Sequence, residues 1–204
     1  MKREESIFML ALFVFLLLIA SCQKQLSHPE FLEYINNPDN GLLQEKEINN
    51  VSVSLQYWPQ ELVTYQEFQG LDSISTQVYL NELANYKQYH YIKLKLSAHG
   101  QGLLHAYVRD RFKYSQLVNT LSFGMGQNAY LIKQPTDTLE FVDCFIPRYY
   151  GINTSTDLML IYKADKDLDT DFRFQLKDLD IGTGELSFTI TKDAILNIPD
   201  LIIE

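Results

Sequence analysis

The sequence is short of several things. It has two cysteines, Cys22 and Cys144, and one tryptophan, Trp58, in 204 residues. No apolar run exceeds the fourteen residues from Ile7 to Ala20. At about 1.5 Å per helical residue that run reaches roughly 21 Å, short of a hydrocarbon core of about 30 Å. There is no basic block, and 17 Lys and Arg against 26 Asp and Glu leave a formal net charge of −9. Nucleic acid is therefore excluded as an expected partner, because neutralising phosphates dominates that affinity. Anionic lipid surfaces would not attract the chain electrostatically either. A Walker loop, a Gly-x-Ser-x-Gly elbow, a His-Glu-x-x-His pair, an internal repeat and a low-complexity linker are all missing from the sequence.

What the chain does have begins at its start. Lys2 and Arg3 precede the apolar run, and small residues follow it, the order of a secretory signal. Ile19-Ala20-Ser21-Cys22 resembles the lipobox of bacterial lipoproteins: a branched apolar residue, two small residues, then cysteine. That resemblance implies cleavage between Ser21 and Cys22, a diacylglycerol thioether on Cys22, and acylation of the new amino terminus with a chain such as palmitate. Two or three acyl chains hold a protein stably where one does not. The expected organisation is a signal peptide over 1–21, a lipidated cysteine and polar tether over 22–28, and one globular domain over 29–204. The expected location is the cell envelope, on the outer membrane. With Cys22 lipidated, Cys144 is the one remaining thiol, so stability must come from packing. Cys144 sits in the apolar run Phe141–Ile146 and is expected to pack rather than react.

Along the domain, Ser27-His28-Pro29-Glu30 reads as a capping box opening a helix that stops by Asn36-Asn37-Pro38. Asp39-Asn40-Gly41 is a turn. Val51, Val53, Leu55 and Tyr57 alternate with polar residues, as do His90, Ile92, Leu94, Leu96 and Ala98, giving two half-buried strands. The lysine-bearing face of the second strand is expected to meet water. Helices are expected from Gln60 to Phe68 and from Ser75 to Tyr86, the latter widened by Leu80 and Ala84. His99-Gly100-Gln101-Gly102 should turn the chain into a strand near Leu104 to Val108. Asp110 should cap a helix to about Phe123, with Phe112, Leu117, Val118 and Leu121 inward. Strands are then expected at 129–133, 139–146, 158–163, 172–176 and 186–190, before an apolar tail over 195–203. The fold class is α+β, a largely antiparallel sheet or sandwich with two or three inserted helices.

Asn37-Pro38-Asp39-Asn40-Gly41-Leu42, the strand ending in Tyr57 before Pro59, Gly182-Thr183-Gly184 with Phe188, and Ile198-Pro199 together resemble uncharacterised lipoproteins of the Bacteroidetes group. The resemblance supports the address and implies no activity.

Four constellations bear on chemistry. Asp165 to Asp171 alternates carboxylates, but Thr170 and Leu176 stand where a calcium loop needs Gly and Glu, so a solvated acidic turn is expected. Gly124-Met125-Gly126 follows a helix and precedes a strand, the reverse of a dinucleotide fingerprint. His99 and His105 lack further ligands in the sequence, so no metal site is expected. Tyr57-Trp58, Tyr89 with Tyr91, and Tyr149-Tyr150 beside Arg148 could stack on a ligand. No catalytic residue and no cofactor is expected. The leading reading is a non-enzymatic, membrane-anchored envelope component that binds a protein or glycan or serves in assembly. A glycan or small-ligand binder using the aromatics, and a hydrolase without a linear motif, are the alternatives.

Overall fold

A computed structural model describes residues 24–71, 75–147, 154–165 and 170–203. Ser21, Cys22, Arg148, Tyr149, Tyr150 and most of the Asp165–Asp171 turn lie outside the described residues. The fold is α+β, with mostly antiparallel sheets.

The strands are β1 (Gln25–Leu26), β2 (Leu43–Ile48), β3 (Val51–Trp58), β4 (Tyr89–Ala98), β5 (Gln101–Gly102), β6 (Ala129–Lys133), β7 (Asp137–Thr138), β8 (Phe141–Phe145), β9 (Thr156–Lys163), β10 (Phe172–Leu176), β11 (Leu186–Ile190) and β12 (Asp200–Leu201). The helices are α1 (His28–Asn36), α2 (Gln60–Glu67), α3 (Thr76–Tyr86), α4 (Leu103–Ala106), α5 (Arg111–Asn119) and α6 (Lys192–Leu196). The described residues hold six α-helices, of which α4 and α6 are single turns that leave no periodic signature.

The larger sheet runs β2-β3-β4-β9-β8 with β5 beside β4, and the smaller runs β11-β10-β6-β7. The alternating apolar sets of β3 and β4 point inward as expected, joined by Leu158, Leu160 and Tyr162 of β9. They belong to one continuous buried core with Leu131, Phe172, Phe174 and Phe188 of the smaller sheet. His90 stacks obliquely on Phe172 across the two layers, with ring centroids 4.9 Å apart.

Along one border the layers are joined by side chains. Gln44 Nε2 donates to the Thr189 carbonyl at 2.6 Å, Lys46 Nζ to the Ser187 carbonyl at 2.5 Å, and Asn49 Nδ2 to the Gly182 carbonyl at 2.7 Å. The Lys46 ammonium also lies 4.8 Å from the Phe188 ring centroid. The polar strand β2 went unseen in the sequence because Gln44-Glu45-Lys46-Glu47 shows no apolar alternation. Asn49 and Asn50, both at positive φ, make the tight turn that pairs β2 with β3. At the other border of the larger sheet, β8 carries a register shift between Phe141 and Asp143.

Four expectations are corrected. Residues 104–108 form no strand: the hairpin ends after Gln101–Gly102 and the chain turns into α4. Of the residues read as a tether, Gln25–Leu26 pair in parallel with Asp200–Leu201, and Leu26 is buried. The inward seam of α5 and of the π-helical turn that continues it (Thr120–Gly124) is Lys113, Leu117 and Leu121, spaced by four, so Phe112 falls off it and is 81% exposed. Leu80 and Ala84 of α3 likewise face solvent, leaving Tyr79 and Leu83 as its buried stripe.

The capping box opens α1 as expected. The Glu30 carboxylate accepts from the Ser27 amide at 2.9 Å and from the Ser27 hydroxyl at 2.6 Å. Those two bonds hold Glu30 below the usual carboxylate range. Asp110 Oδ1 caps α5 by accepting from the Lys113 amide at 3.0 Å. Gly126 is explained by packing: a Cβ there would lie 2.8 Å from Cδ1 of Phe141.

Candidate functional site

The outer face of the larger sheet carries the side chains that alternate with the core set. Trp58, Tyr91 and Ile161 lie in one cross-strand row, and Gln56, Lys93, Met159 and Phe145 in the next. Pro59 ends β3 and serves as the N-cap of α2, which turns back over this face. Val63, Gln66 and Glu67 of α2 and Tyr86 of α3 form one wall of a groove of about 450 Å³. Phe145, Pro147, Met159 and Ile161 form the other, over a floor of Trp58, Tyr91 and Lys93. Mostly apolar walls with a few polar groups are the usual make-up of a small-ligand site.

Lys93 is the polar centre of this groove, which corrects the expectation that its face is simply wet. Its side chain is 14% exposed. The ammonium lies 4.6 Å from the Trp58 ring centroid, within cation–π range, and 3.8 Å from Asp157 Oδ2. That ion pair is too long for a hydrogen bond. Burial first, then the neighbouring Lys95, lowers the Lys93 pKa from the ordinary lysine value, with Asp157 opposing. Trp58 is 7% exposed, and its Nε1–H finds no acceptor among the described residues. Among the described residues, then, Lys93 and Trp58 both lack a hydrogen-bonded acceptor, the Trp58 Nε1 being shut off from solvent.

The aromatic clusters are only partly brought together. Trp58, Tyr86 and Tyr91 line the groove. Tyr86 and Tyr91 are tilted by 42° and Tyr89 and Tyr91 by 69°, so these rings do not offer the coplanar platform a sugar would stack on. Tyr57 points the other way, into the core. Tyr86 came to the site from a separate helix, so sequence proximity alone could not place it beside Tyr91.

A second cleft, of about 460 Å³, is lined by His90, Gln60, Glu61, Lys87, Asp165 and Pro199 among others. Gln60 Nε2 donates to the Tyr89 carbonyl at 3.0 Å and to Tyr57 Oη at 3.3 Å. Tyr57 Oη and His90 Nδ1 share a hydrogen bond of 3.0 Å whose donor is set by the imidazole tautomer. Burial pushes His90 down to about 4, the Asp165 charge pulling the other way. Burial also raises Tyr57 well above the usual phenol range. A neutral imidazole and an undissociated phenol make this a structural hydrogen bond.

A third depression, of about 590 Å³, carries charged and hydroxyl groups of β2, β3 and β4 and lacks apolar walls to grip a ligand. His99 and His105 are both exposed. Cys144 is half-buried against the core, its thiol 3.7 Å from the Leu121 carbonyl, and burial with the Asp143 charge pushes it up to about 12. The packing role read from its apolar strand agrees with that position. Asp165 pairs with Lys133 at 3.0 Å, while Asp171 Oδ1 accepts from the Lys192 amide at 2.8 Å. Among the described residues no group of three or more His, Cys, Asp or Glu side chains is arranged to hold a metal ion. No helix among them is long and apolar enough to cross a membrane. Comparison with protein-family models, with curated proteins and with solved structures finds no match to this chain.

Proposed function

We propose that this chain is a lipid-anchored envelope protein that binds a ligand in the groove between α2 and the outer face of β3, β4, β9 and β8. One observation carries the reading. The groove joins apolar walls to the Lys93 ammonium, which has no hydrogen-bonded acceptor among the described residues. The address rests on the apolar leader and on Cys22, where acyl chains would hold the protein to the outer membrane. Binding rather than turnover is the role proposed, because the ammonium and apolar walls supply recognition.

Two measurements test this. Cys22→Ala should release the protein from the membrane fraction and abolish incorporation of radiolabelled palmitate; unchanged incorporation overturns the address. Protein extracted from its native envelope should carry a bound mass in native mass spectrometry that Ile161→Phe, which fills the groove, lacks. Bare protein in both cases overturns the binding role.

A further inference from the structure

We infer that the groove takes an amphiphile with a carboxylate head, its apolar body lying along the sheet between α2 and β8 and its head on Lys93. The inference rests on the reading of the groove as a binding site and specifies the chemistry of the occupant.

The body is set by the walls. Val63 on the helical side and Met159, Ile161 and Phe145 on the sheet side are aliphatic or aromatic, and Phe145 is 48% exposed at the rim. An apolar chain entering there removes that surface from water, the main source of affinity in such a site. The enclosed volume of about 450 Å³ suits a small single-chain molecule rather than a protein segment with its side chains.

The head is set by Lys93. Of the charged groups lining the groove, Glu67 stands on the α2 wall, and burial of Tyr86 followed by the Glu67 charge raises that phenol's pKa. Asp157, beside the groove floor, already accepts from the Ser155 hydroxyl. The Lys93 ammonium has the Trp58 ring face and a distant carboxylate, and no hydrogen bond among the described residues. An incoming carboxylate gives it a charge-assisted bond and restores a close counter-ion to a half-buried cation. Trp58 offers the occupant its ring, since its Nε1–H is shut off from solvent. An ammonium head would meet the like charge of Lys93, and its acceptor would be the Glu67 carboxylate on the α2 wall instead. A hydroxyl head could accept one bond without supplying the charge.

Trp58 is the one tryptophan of the chain, so its fluorescence reports the groove directly. The folded domain is titrated with dodecanoate, dodecan-1-ol and dodecylamine, each below its micelle-forming concentration. Dodecanoate should bind saturably and most tightly, dodecanol more weakly, and dodecylamine least. Lys93→Met should weaken dodecanoate by roughly tenfold while leaving dodecanol within about twofold. Ile161→Phe, checked for fold by circular dichroism, should lose all three. Dodecylamine or dodecanol binding as tightly as dodecanoate overturns the carboxylate assignment, and a bound mass in native mass spectrometry would still uphold the groove as a site. No saturable change with any probe overturns the inference outright.

Discussion

Tyr57 and His90 meet in the core through a 3.0 Å hydrogen bond between Oη and Nδ1, at cross-layer depth where His90 is 1% exposed. Burial keeps the folded imidazole neutral down to about pH 4, whereas an unperturbed histidine protonates near 6.5. Between those values the unfolded chain binds more protons. Stability from this site is therefore complete above pH 6.5 and is lost as pH falls towards 4. From pH 7 to 4.5 the site should cost about 2 kcal/mol. Urea unfolding of the parent and of His90→Gln at both pH values measures it. The parent should lose more stability than the variant across that window, and equal losses would refute the assignment.

Gly126→Ala brings a methyl group against the Phe141 ring, which itself meets Tyr162 edge-on with centroids 5.7 Å apart. Overpacking of this kind costs about 1–3 kcal/mol. Thermal melts should show the loss, and Phe141→Leu in the same chain should recover part of it. Additive losses in the double variant would mean that the two groups do not collide.

Gln56 is buried on β3 and donates to the Ile35 carbonyl at 2.8 Å and to Asn36 Oδ1 at 3.0 Å, closing the last turn of α1. Gln56→Met keeps the length and removes the donor. The orphaned carbonyl should cost about 1–3 kcal/mol by denaturant midpoint, and an unchanged midpoint would show that water replaces the amide.

Phe112 and Phe123 are 81% and 86% exposed. Replacing either by Ser should change stability by less than about 0.5 kcal/mol, in contrast with Leu117→Ala, which should cost about 2–5 kcal/mol. A similar loss from all three in parallel melts would place the phenylalanines in the core.

The strands read from alternation stand close to where they were expected, because Val51 to Tyr57 and His90 to Ala98 carry a two-residue period that only one buried face can satisfy. Ser27 with Glu30 and Asp110 with Lys113 were legible for a similar reason: capping is local. The polar side chains of β2 are held by carbonyls that arrive 141 and 145 residues later, and no local pattern announces them. Phe112 was misplaced because an aromatic one step off the Lys113-Leu117-Leu121 stripe looks the same in sequence as one upon it. The groove was half legible. Trp58 and Tyr91 stood out as aromatics, but only strand pairing sets them side by side, with Lys93 in the next row. Only the packing of α2 and α3 brings Val63 and Tyr86 over them.

The side-chain bonds between β2 and β11 bear on how copies of this protein meet. The outward carbonyls of Ser187 and Thr189 are taken, β7 is two residues long, and β8 is kinked out of register near Phe141. A neighbouring chain offering an extended segment meets short, kinked or side-chain-bonded borders at β7, β8 and β11. At those three borders, crowded copies should fail to join into fibrils.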